Sequence, residues 1–568
     1  MRNGFPVRFR WAVLTLLATV AVPVAAEQAP ARRAAPPATR QATAGPPIRL
    51  VLLIAVDQFR ADYLTRFGPP SGGFRTLMTR GAVFTDAHLE HANTVTAVGH
   101  STMLTGATPS VSGIIDNTWY ERTSRANVES ITDTTVQIVG GEGASGVGAS
   151  PRRLLVTTLG DQIKLASTAE PGAPAAPRVI GISIKDRSAV LPAGHAADAA
   201  YFFRSGRFVT STYYRDALPA WVDEVNARRL PDSYAGKRWT FEGGEHAYPA
   251  QPGSALNTAV LASPAGNELV LAMATAALEH EQLGQRGVTD VLTVSFSSND
   301  SVGHTYGPES PEVRDITRKT AGHLERLLAE VDRRVGLSRV LVAFTTDHGV
   351  APLPEAASAR RVPGGRFKIK DLTDAVEAAL DARFGEDTWI ERAALPRIYL
   401  DHARLATRGV NPSEARTVAA AAAMRVPHVA RAYTSDAIMS GQMFGDAISA
   451  RVTRAHHADR SGDLHIILDP LWMGAGTGTT HGTPYSYDSH IPLILMGPGV
   501  APGTYHARAA LNDLAPTLAV LLGIEPPAGS QGRVLGEALR PSVLTRPRPI
   551  DAHTAAPAPA GAPRVAAP

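Results

Sequence analysis

Short apolar runs rich in β-branched residues recur along the chain without the polar alternation of a half-exposed strand. Leu50 to Val56 runs into Asp57. Val291 to Phe296 leads to Asp300, with His304 four residues on. Val340 to Thr346 runs into Asp347-His348. Runs of this kind read as strands buried on both faces of a parallel sheet. Two further runs, 178–184 and 491–496, fit the same description. Between them lie patterns of helical period near 71–80, 267–285, 312–334 and 511–522. Alternation of this kind from about 48 to 540 predicts an α/β fold: a largely parallel central sheet with helices on both faces. Two stretches look inserted as cap segments, 186–262, rich in Tyr, Phe, Trp and Gly, and 355–475, with helices of its own such as 370–383. Each follows a strand end that carries polar residues, so both are expected to wall a site. No repeat of solenoid period is visible.

The chain ends read differently. Arg2, Arg8 and Arg10 precede an apolar stretch from Trp11 to Val22 and then Val24-Ala25-Ala26. This order predicts a secretory signal over 1–26, cleaved after Ala26. An uncleaved anchor is the alternative, disfavoured because the apolar run is short for a membrane span. The expected location is therefore periplasmic or secreted, with no stable membrane anchor after cleavage. Residues 27–47 and 541–568, rich in Ala, Pro and Arg, read as a disordered linker and tail. These ends change the meaning of the charge. The formal total is +4, the ends carry +7, and the folded part is left at −3. The basic pI belongs to the ends, and no nucleic-acid partner is expected. The absence of cysteine excludes disulfides, thiolate metal sites and cysteine nucleophiles.

Chemistry concentrates at the strand ends, where open α/β sheets form their sites. Three acidic ends, two with an imidazole close by, suggest metal ions held by mixed O/N ligands. A further motif, Asn93-Thr94-Val95-Thr96-Ala97-Val98-Gly99-His100, opens a small-residue helix, where backbone N–H groups and the helix dipole favour an anion. Thr96 is a candidate nucleophile if a metal reaches it; the alternative is that Thr94 or Thr96 only caps the helix. His481 lies in a Gly-rich loop just before a strand and can be a ligand, whereas His490 reads as structural. His88, His91 and His100 read as packing or supporting residues, His195 as structural or part of a lid, and His456-His457 as an exposed pair. Trp119, Tyr120 and Tyr201-Phe202-Phe203 line either a cleft or, more commonly, the core.

The order Asp57, Thr96, Asp300-x-x-x-His304, Asp347-His348, His481 resembles the alkaline phosphatase superfamily, within it the nucleotide pyrophosphatase/phosphodiesterase branch. Lys185-Asp186-Arg187, after the strand 178–184, is similar to the Lys-x-Arg segment of the phosphate-irrepressible alkaline phosphatases; the alternative is a solvated loop with an Asp186–Arg187 pair. The resemblance implies two Zn2+ ions: Asp57, Asp347 and His348 would hold one, with the Thr96 oxygen on it, and Asp300, His304 and His481 the other. It implies that Thr96 is the nucleophile, forming a phosphothreonine, and that Asn117, Lys185 and Arg187 bind phosphoryl oxygens. The implied activity is hydrolysis of phosphate monoesters to alcohol and inorganic phosphate. The alternatives are a phosphodiesterase or nucleotide pyrophosphatase on the same scaffold, and a non-catalytic metal-stabilised binding protein. A sulfatase is disfavoured because the Thr96 segment lacks a Cys/Ser-x-Pro-x-Arg motif.

Overall fold

The computed structural model describes residues 47–140, 145–168 and 175–545. The expected leader, the linker through Pro46 and the tail from Arg546 lie outside the described residues.

Five parallel strands form the centre of a 12-stranded sheet. They are β1 (Leu50–Val56), β2 (Val179–Ser183), β3 (Ala199–Arg204), β4 (Asp290–Phe296) and β5 (Val340–Thr345), in the spatial order β5-β1-β4-β2-β3. Leu50 of β1 stands opposite both Asp290 and Val340. Alternate residues of β1 feed opposite faces: Leu50, Leu52, Ile54 and Val56 enter one core and Val51, Leu53 and Ala55 the other. The unbroken apolar run is explained, since a strand covered on both sides has no solvated face to mark with polar residues. The first core is closed by the helix Pro311–Arg334 through Val313, Ile316, Leu324 and Leu327, the second by Leu514–Leu522 through Leu514, Leu518 and Leu521.

Three expectations are corrected. The strand at 491–496, β6 (His490–Met496), runs antiparallel to β5 rather than parallel. This reversal places the loop that precedes β6, and with it His481, at the same sheet edge as the carboxyl ends of β1, β4 and β5. Residues 186–262 are not wholly an insertion. Asp186–Ala193 is a helix packed on the sheet, and β3 and Arg207–Ser211 extend the sheet itself. The aromatic-rich sequence there is buried inside the sheet, where Thr132–Val139 pairs beyond Arg207–Ser211. Finally, the chain from Pro541 continues as the helix Pro541–Leu544, which buries Val543 in the second core.

Residues 355–475 build a unit with its own core. Ile390–Ala394, Arg397–Leu400, Leu464–Leu468 and Val429–Thr434 form a four-stranded antiparallel sheet. The helices Ile369–Phe384 and Pro412–Ala423 bury Leu372, Val376, Ala415 and Ala419 with Trp389, Leu464 and Ile466.

Candidate active site

Two groups of ligand-type side chains meet at the carboxyl edge of the sheet. Asp57, Asp347 and His348 offer ligand atoms within 4.8 Å of one another, and so do Asp300, His304 and His481. Each position follows from the fold. Asp57 ends β1, and Asp347-His348 follow β5. The short helix α1 (Ser298–Tyr306) after β4 carries Asp300 and His304 one turn apart, so both point the same way. The stacked rings of His348 and His481, with centroids 3.5 Å apart, join the two groups.

The histidines are fixed by backbone. His304, His348 and His481 donate Nδ1–H to the carbonyls of Thr479, Gly349 and Thr94 at 2.7, 2.9 and 2.8 Å. A carbonyl only accepts, so the tautomer is set and Nε2 faces the carboxylates. His304 Nε2 lies 3.1 Å from Asp300 Oδ1 and 3.2 Å from His481 Nε2. Asp57 Oδ1 and Asp347 Oδ2 are buried without a hydrogen-bond partner among the described residues. Oriented imidazole nitrogens facing orphaned carboxylate oxygens are a donor set for cations. Three protein ligands per group, mixing carboxylate and imidazole, suit a metal ion.

The charges agree. Burial and the neighbouring Asp347 push the Asp57 carboxyl well above its usual range, and Lys185 offsets this only in part. Burial acts the same way on Asp300, but Lys185 and His304 outweigh it and hold that carboxyl well below. At Asp347 the imidazoles of His348 and His100 likewise overcome burial and lower the carboxyl. Burial lowers His348 and His481, whereas Asp300 overcomes burial to raise His304.

Thr96 opens the helix α2 (Thr96–Thr105), whose N-cap residue Val95 provides no side-chain cap. The Thr96 hydroxyl makes no cap bond either; it lies 3.4 Å from His348 Nε2. Thr94 instead donates to the Thr483 carbonyl at 3.0 Å and ties down the His481 loop. The capping alternative is thereby removed for both threonines. Gly99 lets α2 pass directly over Asp347, where a Cβ would collide with that residue's backbone. Asn117 Oδ1 accepts from Ala97 N–H at 2.8 Å. Lys185 Nζ bridges the two groups, 2.8 Å from Asp57 Oδ2 and 2.6 Å from Asp300 Oδ2. Arg187 is not drawn in with it: the guanidinium sits 3.8 Å from Asp186 and hydrogen-bonds to none of the six ligand-type residues.

Sequence reasoning missed several supports. Gln58 adopts a left-handed backbone at φ 58, a strained state for a non-glycine residue. There its N–H donates to Asp347 and its side-chain amide to Asp300. His100 was not missed: the sequence offers it as a packing or supporting residue, and it lies buried 3.3 Å from Asp347 Oδ2 and 3.0 Å from the Thr96 carbonyl. Arg397, from the inserted unit, donates to Asp116 Oδ2 and to the Ile115 carbonyl, both at 2.6 Å. Asp116 also accepts from Asn93 Nδ2 and Asn117 N–H. The only signal for this network is the polarity of Asn93 and Asp116 beside Thr96 and Asn117. His88, His91, His195, His456 and His457 belong to neither ligand group, and His456, expected as part of an exposed pair, is buried. Trp119, Tyr120, Tyr201 and Phe202 are buried in the core.

An α/β sheet that gathers two mixed O/N ligand groups, one of them beside a helix-opening threonine, defines a metal-dependent enzyme of phosphoryl-transfer type. The sequence matches the type I phosphodiesterase / nucleotide pyrophosphatase family over residues 51–490, and the chain belongs to that family. Among its relatives, alkaline phosphatase PafA of Elizabethkingia meningoseptica is 34% identical over 88% of this chain and 96% of its own length. Alkaline phosphatase PhoV of Synechococcus elongatus is 32% identical over 87% of this chain and 93% of its own length. The crystal structure of wild-type PafA superposes with a TM-score of 0.79 at 33% identity, covering 88% of this chain and 100% of that one.

Proposed function

We propose that this protein is an exported, zinc-dependent phosphomonoesterase that works through a phosphothreonine at Thr96. One observation carries the reading: the Thr96 hydroxyl lies 3.4 Å from His348 of one ligand group, and the Lys185 ammonium bridges that group to the other. Relatives named alkaline phosphatases, similar over most of their length, support it.

When bound, a pair of zinc ions supplies Lewis-acid charge at the reacting oxygens and lowers the pKa of a hydroxyl or water. The chain's own residues do the rest. Thr96 Oγ bonds to phosphorus as the bond from phosphorus to the ester oxygen breaks and the alcohol departs. Water then cleaves the phosphothreonine, releasing inorganic phosphate and restoring the hydroxyl. Asn117, with Oδ1 held by Ala97 N–H, turns its amide nitrogen to a phosphoryl oxygen. Lys185 and Arg187 offset charge on the remaining oxygens. For Arg187 this requires the side chain to swing from Asp186. His100 and Gln58 hold Asp347 and Asp300 in place.

A phosphodiesterase on the same frame is the second reading, favoured by the family's description. Rates on p-nitrophenyl phosphate and bis-p-nitrophenyl phosphate, each with and without chelator, separate the two. A faster monoester rate that chelation abolishes and zinc restores is expected. A diester rate that exceeds it overturns the monoesterase reading. Acid-quenched enzyme incubated with labelled phosphate carries the label on Thr96; label on Thr94 instead moves the nucleophile to that threonine, and label on no residue removes the phosphothreonine.

A further inference from the structure

A cavity of about 410 Å³ lies between the inserted unit and the His481 loop. Leu395, Ile466, Trp472 and Met473 of the inserted unit line it together with Val95 and His481. Its one charged lining residue is Asp116, whose carboxylate is matched by Arg397. No lysine or arginine among the described residues lines it. The wall is preformed: the Trp472 indole stacks on His428 with centroids 3.3 Å apart, and Ile466 and Met473 are buried. A cavity of this size with apolar walls and few polar groups is suited to an organic ligand. It cannot compensate a phosphoryl group, whose cation, Lys185, stands on the Asp57 and Asp300 carboxylates. Yet it adjoins the phosphoryl site through His481 and through Val95, the residue before Thr96.

We propose that this cavity is a subsite for the alcohol portion of the ester, and that it selects uncharged alkyl or aryl groups. The proposal rests on the phosphomonoesterase reading and adds a substrate class to it. Apolar area buried equally in the ground and transition states lowers KM and raises kcat/KM while leaving kcat unchanged. Each methylene that enters the cavity should raise kcat/KM about fourfold, the equivalent of about 0.8 kcal/mol.

The test is a series of n-alkyl phosphates from methyl to hexyl on the zinc-loaded enzyme. The readout is the slope of log kcat/KM against chain length within each protein, so that a general loss of activity cancels. The wild type should show a rising slope carried by KM. Trp472→Ala and Leu395→Gln should each flatten it; both positions are partly exposed, so neither substitution opens a buried core. n-Alkylphosphonate inhibition of the wild type gives an independent slope, which should rise in parallel. A flat wild-type slope overturns the subsite and leaves the monoesterase standing. A slope that persists in a folded Trp472→Ala/Leu395→Gln double variant places the alkyl group elsewhere and also overturns it. Failure to hydrolyse any monoester overturns the underlying reading instead.

Discussion

Replacing Lys185 by alanine removes the one fixed cation that touches both ligand groups, with Nζ 2.8 Å from Asp57 and 2.6 Å from Asp300. In the proposed mechanism this ammonium also meets a phosphoryl oxygen. A charge-assisted contact of that kind is worth about 1.5–3 kcal/mol, so kcat/KM on a monoester should fall about 10- to 150-fold. A diester brings about half the charge. Halving the interaction gives roughly 0.75–1.5 kcal/mol, a loss of only about 3- to 12-fold. Arg187→Ala should cost less than Lys185→Ala, because the guanidinium is more exposed and rests beside Asp186. The double variant should lose less than the product of the two single effects, since both groups serve one ligand. The assay compares p-nitrophenyl phosphate with its bis ester, with bound zinc measured in each variant. Equal losses on both substrates at unchanged zinc content would refute the argument that Lys185 discriminates by charge. A loss that follows falling zinc content would show that Lys185 acts through the ligands instead.

Three further outcomes follow from the geometry. His481→Ala should lower zinc stoichiometry and cut activity by orders of magnitude, because two ligands are too few to anchor an ion; full activity with two zinc ions bound would remove His481 from the ligand set. Arg397→Ala leaves Asp116 without its buried partner and should destabilise the fold by about 3 kcal/mol in urea unfolding, while raising the inhibition constant for phosphate through a loosened Asn117; an unchanged inhibition constant would break the link to Asn117. Burial, with Arg397 adding to it, lowers His456 to about 4, so the folded state prefers the neutral ring. That preference contributes fully above pH 6.5 and is lost as pH falls toward 4, about 2 kcal/mol of it by pH 5; His456→Gln should flatten the urea midpoint between pH 7 and pH 5, and an unaltered slope would refute the assignment.

The parts of the fold legible in the sequence are those written locally. Strands buried on both faces must be apolar throughout, so β1, β4 and β5 announce themselves, and the acidic residues after them stand out. Asp300 and His304 share a helix face at a spacing that sequence displays directly. His481 has no such local partner; it reaches the site because β6 runs antiparallel, and strand direction leaves no mark on a six-residue apolar run. Arg397 meets Asp116 across 281 positions, and neither residue has a periodic pattern to declare the pairing. The placement of Arg187 beside Asp186 is the pairing that adjacent residue order offers as the alternative to a phosphoryl contact. The first inserted stretch differs from its expectation because β3 and Arg207–Ser211 lie inside the sheet, with Thr132–Val139 paired beyond them, and bury aromatic residues that sequence alone cannot tell from a cap.

The carbonyls of Thr94, Gly349 and Thr479 that orient the three imidazoles come from residues whose side chains are absent from both ligand groups. A designer who transplanted only Asp57, Asp300, His304, Asp347, His348 and His481 onto another scaffold would therefore carry over the atoms but not their aim. The side chains at those three positions hold the peptide planes rather than ligate: Thr94 donates to the Thr483 carbonyl, Thr479 donates to the Ala351 carbonyl, and a Cβ at Gly349 would collide with the Tyr487 carbonyl. The minimal portable unit is three stretches of main chain with their turns intact, and peptide-plane geometry is the quantity to conserve when the centre is rebuilt.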